Sequence, residues 1–242
     1  MTLTLLQWMG PTDHFQINTY TGLTSGLLLL INQITDLEYP SNSKLVADHH
    51  RIAADIKTSL EGLRQDVPPN LLFSTTVQLS ASAEAYRLAC LLYLHHKVAS
   101  IRARIAVRTT SLSPLFSQSE VLHLTSQILS LLEDNPGLTR TVANRLWPIF
   151  MAGSSANDDF LRLRVLNLFE QIEKDRRFWN VAPVRMMILK IWRHRDIHVD
   201  EPVVSTRKYK KAPAKEAEYR QGSGSDWDCI LEMMANFTWS LT

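Results

Sequence analysis

A chain of 242 residues, 45% hydrophobic and 21% charged, has the length and apolar content to bury a core of its own and lies outside the compositions of disordered, collagenous or fibrous proteins. Its 26 Lys and Arg against 24 Asp and Glu leave a net charge of +2, so no global basic field draws it to nucleic acid. Two cysteines, Cys90 and Cys229, fall short of a structural zinc site or a disulfide framework, which points to a reducing compartment with each thiol serving as a small buried hydrophobe.

Residues 1–21 form an N-terminal segment without the basic n-region of a secretion signal. Period-two alternation lasts only over the short piece Phe15 to Tyr20, and helical spacing prevails elsewhere, so the fold is expected to be all-α. The first helix runs over Leu23 to Glu38. Its apolar run Leu27 to Ile31 is far too short to span a membrane. Gly22-Leu23-Thr24-Ser25-Gly26 resembles a nucleophile elbow with threonine in the serine place, but no strand leads into it and no triad follows, so Thr24 or Ser25 is expected to cap the helix. Tyr39-Pro40-Ser41-Asn42-Ser43 favours a turn. A second helix from Lys44 to Arg64 carries the stripe Val46, His49 or His50, Ala53, Ile56 and Leu60, and Val67-Pro68-Pro69-Asn70 stops it.

The longest periodic stretch, Leu79 to Val107, places Leu79, Ala83, Tyr86, Cys90, Leu94 and Val98 at three- and four-residue steps and predicts the central helix. Ser117-Gln118-Ser119-Glu120 matches a capping box opening a helix to Glu133, which Asn135-Pro136-Gly137 ends. The next helix starts near Thr139 and carries Val142, Leu146, Trp147 and Phe150; Pro148 kinks or resets it, and Gly153-Ser154-Ser155 stops it. Asp158-Asp159 suit a helix N-terminus, and Leu161, Val165, Leu168, Phe169 and Ile172 recur up to Arg177. Asn180 caps a further helix through Trp192, with Pro183 in its first turn. Residues 199–225 lose periodicity and read as a long mobile basic loop. Residues 226–242 close the chain with a helix whose Trp227, Ile230, Leu231, Met234 and Phe237 are expected to dock on the core. The count is about eight helices in a single domain, 22–242.

No catalytic, cofactor-binding or metal-ligating set emerges. The doublets His49-His50 and His95-His96 point ~100° apart on a helix and cannot share an ion. His194 and His198 have i, i+4 spacing, yet no third ligand accompanies them, so histidines that are exposed or cap helices are the expectation. Gly222-Ser223-Gly224-Ser225 lacks the lysine of a phosphate loop and reads as a linker. Asn236-Phe237-Thr238 matches a glycosylation sequon, incidental without a secretion signal. Arg207-Lys208-Tyr209-Lys210-Lys211 with Lys215 suits a nuclear-import signal, a phosphate-contacting strip or a solvated loop. The six tryptophans and eight phenylalanines fill gaps between helices or wall a small-molecule pocket.

Several patterns, in order, resemble the fungal-specific transcription factor domain, the helical regulatory region of zinc binuclear cluster transcription factors. Gly22 to Leu37 is similar to the family's Gly-x-x-x-x-Leu-Leu-x-x-Ile segment. Glu84 to Leu94 resembles its helix leading into Leu-Leu-Tyr-Leu-His. Trp147-Pro148-Ile149-Phe150-Met151-Ala152-Gly153 is similar to its Trp-Pro-x-x-x-Ala-Gly signature, and Arg162, Val184 to Trp192 with Arg193, and Asp226-Trp227 follow. The resemblance implies a nuclear, non-enzymatic regulator of RNA polymerase II transcription that answers to the transcriptional machinery, to regulatory proteins or to a small-molecule effector, with Trp147, Pro148, Gly153, Trp192 and Trp227 building the scaffold.

Members of that family carry six cysteines in an N-terminal cluster holding two zinc ions, followed by a coiled coil, and this sequence has neither. Zinc is therefore expected only in a cluster outside this chain, and direct DNA contact by the chain is not expected. Either the chain is a piece of a longer regulator or it is a variant without its own DNA reader. The rival readings are a stand-alone helical small-molecule-binding protein, which calls for an enclosed cavity with convergent polar side chains, and a protein-interaction adaptor, which calls for an exposed apolar face. A membrane role is not expected.

Overall fold

The computed structural model describes residues 14–37, 43–105, 114–136, 145–175 and 181–199. Helical periodicity becomes seven helices there: α1 (Ser25–Thr35), α2 (Ser43–Glu61), α3 (Phe73–Ile105), α4 (Gln118–Asp134), α5 (Leu146–Ser155), α6 (Asp159–Asp175) and α7 (Val181–Val199). The all-α expectation holds. The basic stretch, the glycine-serine linker, the sequon and the C-terminal segment lie outside the described residues.

Thr24 is extended and its hydroxyl accepts the Leu27 amide at 3.2 Å. The glycine-flanked pentapeptide is thus a helix cap, and α1 buries Leu27, Leu30 and Ile34 one turn apart. The short period-two piece also has a structural counterpart, because Ile17 N–H donates to Asp66 O at 2.8 Å and Asp66 N–H to Phe15 O at 2.7 Å. This isolated bridge pins Ile17 against Leu79 and Ala83 of α3.

α2 turns Ala53, Ile56 and Leu60 inward and stops at Glu61, before the expected Arg64. Arg87 on α3 donates to the Leu60 carbonyl at 3.1 Å, which satisfies an orphan acceptor of the final turn. α3 begins at Phe73, six residues ahead of the periodic signal. Its opening turn is polar, and Leu72 and Phe73 are exposed, so no inward-facing repeat marks it. Further along, Leu88 to Leu92 are consecutively buried, as befits a helix enclosed on every side.

The capping box forms as expected: Ser117 Oγ accepts Glu120 N–H at 3.1 Å while Ser117 N–H donates to Glu120 Oε2 at 3.4 Å. Lys57 on α2 reaches Glu120 at 2.6 Å and sits 4.4 Å above the Phe116 ring. Asp158 caps α6 through the Leu161 amide at 2.8 Å. α7 accommodates Pro183 in its first turn, where the lost donor is not needed, and runs seven residues beyond Trp192. Residues 193–197 are mostly charged and none of them is fully buried, so apolar spacing could not mark these turns. Arg162 holds them through two bonds to Asp196, at 2.9 and 2.7 Å.

Packing places α3 against α1, α2, α4 and α5, and α5 against α3, α4, α6 and α7. These two helices form the axis of one hydrophobic cluster. No described helix is long and apolar enough to cross a membrane.

Candidate functional site

The Trp-Pro-x-x-x-Ala-Gly element is α5, a ten-residue helix with only Trp147 outside the fully buried set. A helix this short has little stability of its own, so its neighbours must hold it. At its start, Arg145 is 6% exposed and carries no side-chain cap for α5. Its guanidinium instead crosses to the end of α4, donating to the carbonyls of Asn135 at 2.7 Å, Pro136 at 2.8 Å and Leu132 at 3.4 Å. Pro148 occupies the first turn, where it kinks nothing. The helix expected from Thr139 opens at Leu146, and residues 137–144 lie outside the described region.

Trp147 is half-buried. It stacks on Tyr86 with ring centroids 5.6 Å apart at 17°, and meets the Tyr93 ring edge-on at 6.3 Å. Burial pushes the Tyr86 hydroxyl up to about 12, so its polar end stays neutral beside the indole. Because Trp147 keeps solvent contact, Trp147→Ala is expected to cost about 2 kcal/mol, below the ~3 to 5 kcal/mol of a fully enclosed aromatic. Urea denaturation checks the value, and a loss under about 0.5 kcal/mol would show that the aromatic triplet does not hold α3 to α5.

Gly153 lies within the last turn of α5, and the residue that closes the helix is Ala156. Its small size serves packing. A Cβ there would lie 2.6 Å from Ile188 Cδ1 and 3.2 Å from Val165 Cγ1, both in fully buried side chains. The same close approach lets Trp192 Nε1–H donate to the Gly153 carbonyl at 2.9 Å. Gly153→Ala is expected to lose about 1 kcal/mol, overpacking outweighing the gain in helix propensity. Ile188→Val removes the clashing methyl and should restore part of that loss in a double-mutant cycle; strictly additive effects would refute the clash.

On the opposite side of α5, His96 of α3 faces two hydroxyls, with Nε2 2.9 Å from Ser155 Oγ and 3.3 Å from Ser154 Oγ. Ser154 also donates to the Met151 carbonyl at 2.9 Å. His96 is buried, which corrects the expectation of an exposed or capping histidine. Burial, with His95 and Arg195 nearby, holds its pKa well below the ordinary value. His95, against the Phe116 ring at 5.5 Å, is likewise lowered by burial. The Ser155–His96 spacing equals that of a nucleophile and its base, but both groups sit between packed helices, where the pair bridges α3 and α5.

Among the described residues a surface recess of about 380 Å³ lies beside α7, lined by Arg162, Leu189, Trp192, Arg193, Asp196 and Ile197. Its polar groups engage one another. Arg162 binds Asp196 and lies 5.4 Å from the Trp192 ring; hydrogen bonding to Asp196 raises the Arg162 pKa, and hydrogen bonding to Arg162 lowers that of Asp196. A second clamp joins Arg164 to Glu133 at 2.6 Å and to Ser130 at 3.0 Å, tying α6 to α4.

Of the residues singled out in the sequence, Pro148, Gly153 and Trp192 meet in the core with Trp147 at its margin; Trp227 lies outside the described residues. His194 shares α7 with His198, whose side chain is not described. Among the described residues no group of three His, Cys, Asp or Glu is placed to hold a metal. The family's zinc cluster does not fit them either: Cys90 is fully buried and burial pushes its thiol pKa up. Sequence reasoning missed Arg145 altogether, although an arginine just ahead of Trp-Pro and shortly after an Asn-Pro-Gly stop marks a helix start that follows a helix end.

A family model described as the fungal specific transcription factor domain matches residues 3–242. No curated protein and no solved structure matches the chain. With the Trp-Pro-x-x-x-Ala-Gly helix at the centre of an all-α fold and the match running over nearly its whole length, the chain belongs to the fungal specific transcription factor domain family.

Proposed function

We propose that this helical domain regulates a fungal transcription factor by interaction, restraining or releasing RNA polymerase II transcription when a partner protein or a small-molecule effector engages it. The family match over residues 3–242 carries the reading. The chain is proposed to act in the nucleus, without catalysis, without a cofactor of its own and without touching DNA directly. Zinc is expected only in a cysteine cluster outside this chain.

The recess beside α7 favours a partner over an enclosed effector, because it opens on the surface and its arginine and carboxylate already pair. The same feature supports the adaptor as the second reading. The decisive experiment fuses residues 1–242 to an unrelated DNA-binding module in a fungal cell carrying the cognate reporter gene. Expression is expected to shift several-fold against the module alone; an unchanged reporter across carbon and nitrogen sources would overturn the regulatory reading.

The nuclear assignment has its own test. Neutralising Lys208, Lys210 and Lys211 is expected to reduce nuclear accumulation of a fluorescent fusion, since import signals need the concentrated charge. An unchanged distribution would leave that run as a solvated linker.

A further inference from the structure

We propose that residues 226–242 of this chain dock on the exposed face of α7, over the recess bounded by Arg162 and Ile197. The inference does not depend on the regulatory reading.

The receiving surface is apolar where a surface helix should be polar. Met186 is 51% exposed, Leu189 36% and Ile197 57%. With Arg193 they stand at positions 186, 189, 193 and 197, within one face of the helix. Leu189, Arg193 and Ile197 line the recess together with Trp192, Arg162 and Asp196. The face is therefore an apolar strip with a cation in its middle and a hollow beside it.

The occupant is the segment whose chemistry complements that strip. Trp227, Ile230, Leu231 and Met234 recur at the same three- and four-residue spacing, and Asp226, Asp228 and Glu232 are accompanied by no Lys or Arg from 226 to 242. Of the cations on α7, Arg185 pairs with Glu173 and Arg195 bonds Asn157, whereas Lys190 and Arg193 stand within or beside the strip. The acidic segment would thus meet two cations on the apolar face, which supports the choice of surface alongside the apolar match. The lengths agree too: Met186 to Ile197 spans about 16 Å of helix, and Trp227 to Phe237 about 15 Å if helical.

The connection is long enough. Residues 200–225 join the two elements, and 26 residues can span at most roughly 90 Å. Because both elements belong to one chain, docking is intramolecular and modest affinity suffices. The family match extends through residue 242, so the segment and α7 fall within the same family domain.

Hydrogen exchange by mass spectrometry on the full chain tests the docking, with Leu189→Ser/Ile197→Asp as the variant because both side chains are solvent-exposed. Amides of 229–239 are expected to exchange about 100-fold more slowly than in a free peptide of the same sequence. The variant should lose that protection while α3 keeps its own, which separates undocking from unfolding. Free-peptide exchange in the unaltered chain would overturn the proposal and leave the α7 face to another protein. Protection that survives in the variant would place the segment elsewhere and overturn it equally. Protection that fades on dilution together with a doubled native mass would assign the face to a second copy and overturn the intramolecular form.

Discussion

Arg145→Leu is expected to destabilise the domain by about 2 to 3 kcal/mol, more than an arginine substitution on a surface. The last carbonyls of α4 have no amide within their own helix to satisfy them, and they carry the negative end of its dipole. Arg145 meets the carbonyls of Asn135 and Pro136 at 2.7 and 2.8 Å, in a position 6% exposed. Sitting before α5, its charge opposes the positive end of that shorter helix. The short contacts on the α4 side outweigh this, because charge-assisted bonds of that length are among the stronger ones available.

Leucine fills much of the volume but removes charge-assisted bonds to the carbonyls of half-buried Asn135 and exposed Pro136. Water can partly replace the donor there, so each costs about 1 kcal/mol, and the longer contact to the buried Leu132 carbonyl adds a little more. Arg145→Lys should fall between, since one ammonium can stand in for Nη2 at the Asn135 and Pro136 carbonyls but cannot also supply the Nη1 branch that meets Leu132. Urea denaturation of both variants, read with hydrogen exchange at the end of α4, checks the order. A loss below about 1 kcal/mol for leucine would mean that water replaces the guanidinium and that Arg145 does not join α4 to α5.

What the sequence made legible follows from the range over which each signal acts. Thr24, the Ser117 and Glu120 pair and Asp158 cap helices within three residues, so local chemistry placed those starts correctly. The inward stripes of α4 and α6 repeat once per turn and needed only periodicity. The opening turns of α3 and the end of α7 were misplaced because their stability comes from the body of the helix and, at Asp196, from an arginine 34 residues away. The Gly153-Ser154-Ser155 stop falls where α5 ends, at Ser155, but the packing role of Gly153 stayed hidden because the methyl of Ile188 that demands it belongs to a distant segment. His96 and Arg145 were opaque for the same reason, since their partners lie 59 and about 10 residues off in sequence. The element that identified the family, by contrast, was visible as a contiguous word, because one short helix touching four others confines its constraints to a few adjacent positions.

Acidification is expected to weaken the fold steeply once the pH falls below about 6.5, with His96 as a principal cause. The ring is buried, bonded to Ser155 at 2.9 Å, and held neutral, its pKa lowered first by burial and further by His95 and Arg195. In the unfolded chain the same imidazole titrates near its ordinary 6.5. Below that pH the unfolded state binds a proton that the folded state refuses, so stability is fully present above 6.5 and declines as the pH drops. The slope contributed by one such histidine is about 1.4 kcal/mol per pH unit, or about 2 kcal/mol by pH 5. His95, lowered in the same direction, steepens the fall. His96→Gln keeps a polar atom near the position of Nε2 but does not titrate, so it should be less stable than the native chain at pH 8 and lose less between pH 7 and 5. Denaturant midpoints across that range measure both slopes. Equal slopes would show that His96 gains its proton without leaving the core, and that the serine pair does not require the neutral ring.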